Sequence, residues 1–86
     1  MKKEITMITE YIQAALHGAH YEFLPNDKKY YGEIPGFDGV YASAENLEDC
    51  REELREVLED WLLLSIHKNL PVPVIENISL EVKEVV

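Results

Sequence analysis

A long amphipathic segment with clear start and stop signals constrains the fold of this 86-residue chain most. Asn46 is expected to cap a helix here by accepting a hydrogen bond from the amide of Asp49, and an acidic first turn suits the positive end of the helix dipole. The helix should end near residues 67–69, because Pro71 and Pro73 then prevent helical continuation. A rotation of about 100° per residue predicts that one face points inward, made of Leu47, Cys50, Leu54, Val57, Leu58 and Trp61. The rest of the chain must supply an apolar surface that covers this face.

A short first helix is predicted near the beginning of the chain. Apolar side chains recur there at spacings of three and four from Ile5 onward, which is typical of one helical face. Thr6 and Thr9 are the candidate caps at its start. Gly18 is expected to end the helix in a left-handed conformation.

Strands account for most of the remaining chain. Residues 19–24 and 29–34 are rich in aromatic side chains and are separated by turn formers, so they predict a hairpin, and residues 40–44 continue it as a third antiparallel strand. Apolar and polar residues alternate again from Ile78, which predicts a final strand. The order is then α-β-β-β-α-β. It predicts an α+β fold of two layers, with an antiparallel meander and the long helix packed on the sheet, and residues 1–86 as a single domain.

The charge and the cysteine content limit the classes of function. The chain has 17 Asp and Glu against 8 Lys and Arg, a formal net charge of -9, which repels phosphate backbones and anionic membranes. Direct nucleic-acid binding is therefore not expected, and a basic protein is the expected partner. Cys50 is the single cysteine and is predicted to be a core residue. No signal-peptide pattern follows Lys2 and Lys3, and the longest apolar run is only Trp61 to Leu64, so a cytoplasmic location away from membranes is expected.

The negative charge is concentrated on the long helix. Between Glu45 and Asp60 eight carboxylates stand against two arginines, a local charge of -6. Glu52, Glu56 and Glu59 form a stripe that points away from the predicted core. The stripe is interpreted either as a solvated helix face or as a docking surface for a cationic partner.

The C-terminal part of the long helix is apolar on nearly all sides. Leu62, Leu63 and Ile66 must be covered, either by the first helix or by another copy of the chain. A chain of this size gains much from a shared core, so these residues predict a homo-oligomer interface in a dimer or a tetramer.

Recognisable catalytic and cofactor motifs are missing from the sequence. The histidines His17 and His20 are three residues apart, but Gly18 is expected to break the helix between them, and His67 is expected to act as a helix-dipole partner. The loop from Gly36 to Gly39 contains Asp38 and no adjacent cation, so it predicts a tight turn rather than a phosphate-binding loop. No catalytic residue, cofactor or metal site is assigned, and the chain is predicted not to be an enzyme.

Two neighbouring segments together resemble a known family. The segment Tyr30–Ala42 followed by Asn46–Cys50 looks like the signature of the HicB-like antitoxins, in which Pro35, Gly39, Leu47 and Glu48 match without gaps. The resemblance extends over roughly residues 8 to 75. Gly36 and Asp38 depart from the usual loop residues of that family.

The resemblance implies a reduced RNase H-like fold and a partner of defined chemistry. That partner is a small basic HicA-like toxin that cleaves messenger RNA, and the antitoxin is expected to cover its active site. The resemblance thus makes the stripe of Glu52, Glu56 and Glu59 the expected toxin-binding surface. Many members of the family carry a further DNA-binding domain, whereas none is expected in residues 1–86.

Three functions are therefore compared. The first is an antitoxin that neutralises a basic ribonuclease. The second is a stand-alone, non-enzymatic oligomeric domain that binds another protein or a small ligand in a pocket near Trp61 and Tyr31. The third, a residual hydrolase, would require acidic side chains converging from several strands, and the first strand of the hairpin offers only Glu22.

Overall fold

A long helix packs on one face of a three-stranded antiparallel sheet, and a shorter helix packs against the long one. The computed structural model describes residues 2–6, 8–75 and 81–85. The elements follow the order β1 (Lys2–Thr6), α1 (Ile8–His17), β2 (His20–Leu24), β3 (Lys29–Glu33), β4 (Tyr41–Ala44), α2 (Leu47–His67) and β5 (Glu81–Val85). Strands β2, β3 and β4 form a three-stranded antiparallel meander. The predicted α+β class and the helix-packed meander are confirmed.

The ends of the chain differ from the prediction. Ile5 and Thr6 belong to β1 and not to a helix, and β1 pairs antiparallel with β5 in a separate two-stranded sheet. Helix α1 begins only at Ile8, so Thr9 lies inside it and neither threonine is its cap. The apolar spacing in this segment predicted a helix and not a strand. The strand forms because β5, which is distant in sequence, pairs with the backbone of β1, and a local pattern does not show this pairing. The predicted strand start at Ile78 lies outside the described residues.

Gly18 follows the last residue of α1, as predicted, but its backbone conformation differs from the left-handed one expected. The φ angle of Gly18 is not among the positive ones, and its N–H donates to the carbonyl of Ala15 at 3.1 Å. The helix therefore ends in a tighter turn rather than in a left-handed residue.

The two ends of α2 agree with the sequence prediction. The backbone N–H of Asp49 donates to Asn46 Oδ1 at 2.8 Å, and Asn46 Nδ2 donates to Asp49 Oδ2 at 2.9 Å. At the other end Asn69 adopts a φ of 57°, and the N–H of Leu70 donates to the carbonyl of Ser65 at 2.8 Å. This bond closes the last turn before the two prolines. Neither described helix combines the length and the apolar character that a membrane crossing requires.

The buried residues of α2 follow a line that turns around the helix. The apolar ones are Cys50, Leu54, Leu58, Leu62 and Ile66, spaced four apart, and Ser65 is buried beside the last of them. A step of four residues advances about 40° beyond one full turn, so the line moves from one flank towards another. The helix contacts β3 and β4 and also α1, which together cover the shifting line. The straight inward face predicted from the sequence is therefore wrong for Leu47, which is 41% exposed.

The loop between β3 and β4 contributes to the core. Gly36 and Gly39 have φ angles of 90° and 84°, which confirms the predicted tight turn, since other L residues rarely adopt these values. The turn directs Phe37 inward, where its ring lies 5.1 Å from that of Trp61 and 6.3 Å from that of Tyr11. The core is therefore closed by an aromatic group that spans the loop and both helices.

Candidate protein-binding surface

An open groove runs between β4 and the N-terminal half of α2. It has a volume of about 520 Å³. We call it the acidic groove and define it by its lining residues, Lys29, Ser43, Ala44, Glu45, Asp49, Glu52, Glu53 and Glu56. Five carboxylates and one lysine thus surround the same open hollow.

Local structure explains why these carboxylates lie together. Asp49, Glu52, Glu53 and Glu56 have spacings of three and four, which place them along one flank of a helix. Because Asn46 starts α2 directly after β4, this flank lies beside β4, which is an edge strand of the meander. The groove is therefore a consequence of a tight strand-to-helix connection combined with an acidic helix start.

The predicted toxin-binding stripe is divided by the structure. Glu52 and Glu56 both line the acidic groove. Glu59 does not line the groove: it lies about two turns beyond Glu52 along α2, where its Oε1 accepts a hydrogen bond from Arg55 Nε at 3.0 Å. Its charge is thus paired within the chain, although an exposed pair of this kind stabilises a helix only slightly.

The sequence-based assignment missed Glu45, Asp49 and Glu53 as members of this site. All three belong to the acidic segment, but the stripe includes only the carboxylates opposite Leu54. The groove is centred nearer to the strand side of the helix, because β4 forms its second wall. Spacings of three and four from Asp49 were the signal that could have found it.

The predicted oligomer interface is also revised. Leu62 is 0% exposed and Ile66 is 8% exposed, so the folded chain itself already covers both side chains. That part of the prediction is wrong, because the turning line of buried residues brings Leu62 into the core beside Tyr11. Leu63 remains at the surface with 56% exposure, and the neighbouring Leu64 is 53% exposed.

Trp61 and Tyr31 do not line a common pocket, contrary to the prediction. Trp61 packs against Phe37 on the helical side of the sheet. Tyr31 lies on the other side, since its neighbour Gly32 is buried towards Tyr21 and Cys50 and successive strand residues alternate in direction. The two aromatic side chains are therefore separated by the sheet.

The isolated polar candidates occupy ordinary positions. Cys50 is fully buried, its Sγ contacts the carbonyl of Ala42 at 3.7 Å, and burial raises the pKa of the thiol. This confirms the predicted core role. His17 and His20 are exposed and belong to different elements, α1 and β2. Across the described ranges, no group of three or more potential ligands is arranged to hold a metal ion.

The fold and groove define a small α+β protein in which a long helix covers a three-stranded meander and borders an acidic surface. The chain belongs to the UPF0150-like family, whose sequence model matches residues 10–73. A similar solved structure is the crystal structure of TTHA0281 from Thermus thermophilus, with 37% identity and a TM-score of 0.75. The alignment covers 80% of this chain and 85% of that one. No curated protein matches the chain significantly.

Proposed function

We propose that this protein is an antitoxin-type inhibitor that binds and neutralises a small basic protein that cleaves messenger RNA. The acidic groove carries the proposal, because it is concave, exposed and negatively charged. A ribonuclease must present cations where RNA binds, and the same cations can bind carboxylates. Membership of the UPF0150-like family is compatible with such a role. The resemblance of residues 8 to 75 to the HicB-like antitoxins points to this role more specifically.

The chemistry of inhibition follows from competition for cations. Carboxylates of Glu52 and Glu56 accept charge-assisted hydrogen bonds from Lys or Arg, as an RNA phosphate would. Occupation of the groove would therefore prevent RNA from reaching the same basic surface. Long-range attraction by the net charge of -9 would also accelerate encounter with a basic partner. We place this pair in the cytoplasm, where messenger RNA is translated, and take the inhibitor to be a homo-oligomer.

Co-purification with the product of the adjacent reading frame tests this proposal. We expect a tight complex in which RNA cleavage is suppressed, and we expect affinity to fall with added salt. A double variant with Glu52→Lys and Glu56→Lys should weaken binding by about a hundredfold, since each charge reversal at the contact with the partner costs about 1.4 kcal/mol or more.

A matched variant separates the groove from overall charge. Glu10 and Asp27 are exposed and lie outside the groove, so the double variant Glu10→Lys and Asp27→Lys changes the net charge equally. It should keep most of the affinity. Equal loss in both variants would reject the groove, and absence of any complex with an RNA-cleaving basic protein would reject the inhibitor function.

A further inference from the structure

The outer face of the meander carries two tyrosines and two glutamates in a regular arrangement. In the strand register Glu22 lies opposite Tyr31, and Glu33 lies opposite Tyr41. Tyr31 and Glu33 are two residues apart on β3, so all four side chains project from the same side of the sheet. We call this surface the tyrosine–glutamate face. It points away from α2, because Gly32, which lies between Tyr31 and Glu33 on β3, is buried on the opposite side, next to Cys50 of α2.

The contacts within this face hold the rings and carboxylates together. The rings of Tyr31 and Tyr41 are stacked with centroids 6.1 Å apart and planes at 30°. The Tyr31 hydroxyl donates to Glu33 Oε2 at 3.3 Å, and Tyr41 is 58% exposed. Desolvation is the largest effect that raises the pKa of Tyr31, followed by the charge and the hydrogen bond of Glu33 and then by the charges of Tyr41 and Glu22. Glu33, Tyr41 and Glu22 all act on this phenol as anions, while Lys29 and His20 also lie on this face of the sheet.

An exposed aromatic pair flanked by carboxylates has the recognition chemistry of a guanidinium group. The ring faces attract a cation, and arginine stacks on aromatic rings with its planar group. The carboxylates accept its N–H donors in charge-assisted hydrogen bonds. RNA could stack its bases on the rings, but Glu22 and Glu33 would repel its phosphates.

We propose that Tyr31, Tyr41, Glu22 and Glu33 form a receptor for an arginine side chain of a basic partner protein. This inference rests on the proposed function, because the arginine is carried by the same partner that fills the acidic groove. The two surfaces are adjacent through Ser43, which lies opposite Tyr31 in the register and also lines the groove. One bound protein can therefore contact both.

A nuclear magnetic resonance titration of the full chain with the peptide acetyl-Gly-Arg-Gly-amide tests the receptor directly. We expect saturable shifts of the ring signals of Tyr31 and Tyr41, and weaker shifts with the matching lysine peptide. Tyr41→Leu should lower the affinity for the arginine peptide about threefold, as expected for loss of an exposed cation–π contact. Glu33→Gln, which keeps the side-chain shape, should also weaken it.

Phe23→Leu is the matched aromatic control. Phe23 is 48% exposed but contacts Tyr30, on the helix side of the sheet, so this variant should retain peptide affinity. Absence of tyrosine ring shifts, unchanged affinity in both Tyr41→Leu and Glu33→Gln, or stronger binding of a uridine trinucleotide would overturn the receptor.

The basic partner protein then separates this inference from the inhibitor function. Tyr41→Leu should weaken the complex with the partner in addition to the peptide. If the complex keeps its full affinity in Tyr41→Leu and loses it only in the Glu52→Lys and Glu56→Lys variant, the receptor is wrong and the inhibitor function stands. If no complex forms with the unaltered chain, the inhibitor function itself is wrong.

Discussion

Tyr11 connects three parts of the molecule through one side chain. It is fully buried on α1, its ring packs edge-on against Phe37, and its hydroxyl donates to the carbonyl of Pro73. Pro73 lies in the segment after α2, where Val72 and Ile75 also pack on the core. This one hydrogen bond therefore fixes the returning chain across the helices.

Removal of this hydroxyl should alter stability and its pH dependence. Tyr11→Phe should lower the free energy of unfolding by about 1–2 kcal/mol, because the Pro73 carbonyl loses its donor. Burial raises the pKa of Tyr11 from 10.0 to about 12, so the folded state holds the proton more tightly than the unfolded chain. That contribution is fully present below pH 10.0 and is lost as the pH rises towards 12. Urea unfolding at several pH values should show a weaker alkaline decline in Tyr11→Phe, and an unchanged decline would contradict the assignment.

Gly32 allows the sheet to approach α2 closely. A Cβ at this position would lie 2.8 Å from two ring carbons of Tyr21 and 3.3 Å from Cys50 Sγ. Gly32→Ala should therefore destabilise the fold by about 1–3 kcal/mol, measured by thermal unfolding. Gly18→Ala is the control, since its Cβ would meet only the Ala15 carbonyl at 3.6 Å, and it should leave stability within about 0.5 kcal/mol. Equal effects of both variants would refute the close contact.

At the scale of elements, α2 organises the domain because different partners cover successive parts of its surface. Its core side contacts β3, β4 and α1, while its strand-side flank forms the acidic groove. The first residue of α2 could be predicted well from Asn46, because the capping hydrogen bond joins Asn46 to a residue only three positions later. The buried face could be predicted only in part, since it depends on where the other elements lie.

Two leucines test the corrected face of α2. Leu62→Ala should destabilise the protein by about 2–5 kcal/mol, because the side chain is fully buried. Leu47→Ala should change stability by less than about 0.5 kcal/mol, because this side chain is at the surface. Chemical denaturation of the two variants gives the comparison. The reverse order would favour the straight inward face expected from the sequence.

For the whole molecule, crowded negative charge opposes folding. Glu52 and Glu56, like Asp49 and Glu53, are four residues apart on one helix flank, a spacing at which like charges repel. The groove therefore retains an electrostatic cost that partner binding would relieve. The fold tolerates this cost because it forms its core elsewhere, between the sheet and both helices.

Neutralisation of one groove carboxylate should stabilise the free protein. Glu52→Gln should raise the free energy of unfolding by about 0.2–0.5 kcal/mol, and added salt should reduce the difference. Glu59→Gln removes the partner of Arg55 and should lower stability by about 0.3–0.5 kcal/mol. Thermal unfolding at low and high salt measures both. A destabilised Glu52→Gln would contradict repulsion within the groove.

The oligomeric state belongs to this scale as well. Leu63 and Leu64 remain exposed on α2, and we expect them to be covered by another copy of the chain. Sedimentation of the free protein should show a dimer or a tetramer, and Leu63→Glu should shift it towards the monomer without unfolding. A monomer at all concentrations would contradict the predicted homo-oligomer.

Local signals in the sequence were sufficient for the capped helix, the hairpin, the third strand and the tight turn at Gly36 and Gly39. Each depends on residues that are neighbours along the chain, so propensity and periodicity determine it. Only the tertiary structure decided that β1 pairs with β5, that Leu62 is buried and that Lys29 lines the acidic groove together with the carboxylates of α2. These features depend on contacts between segments distant in sequence, and no local pattern specifies which surfaces will meet.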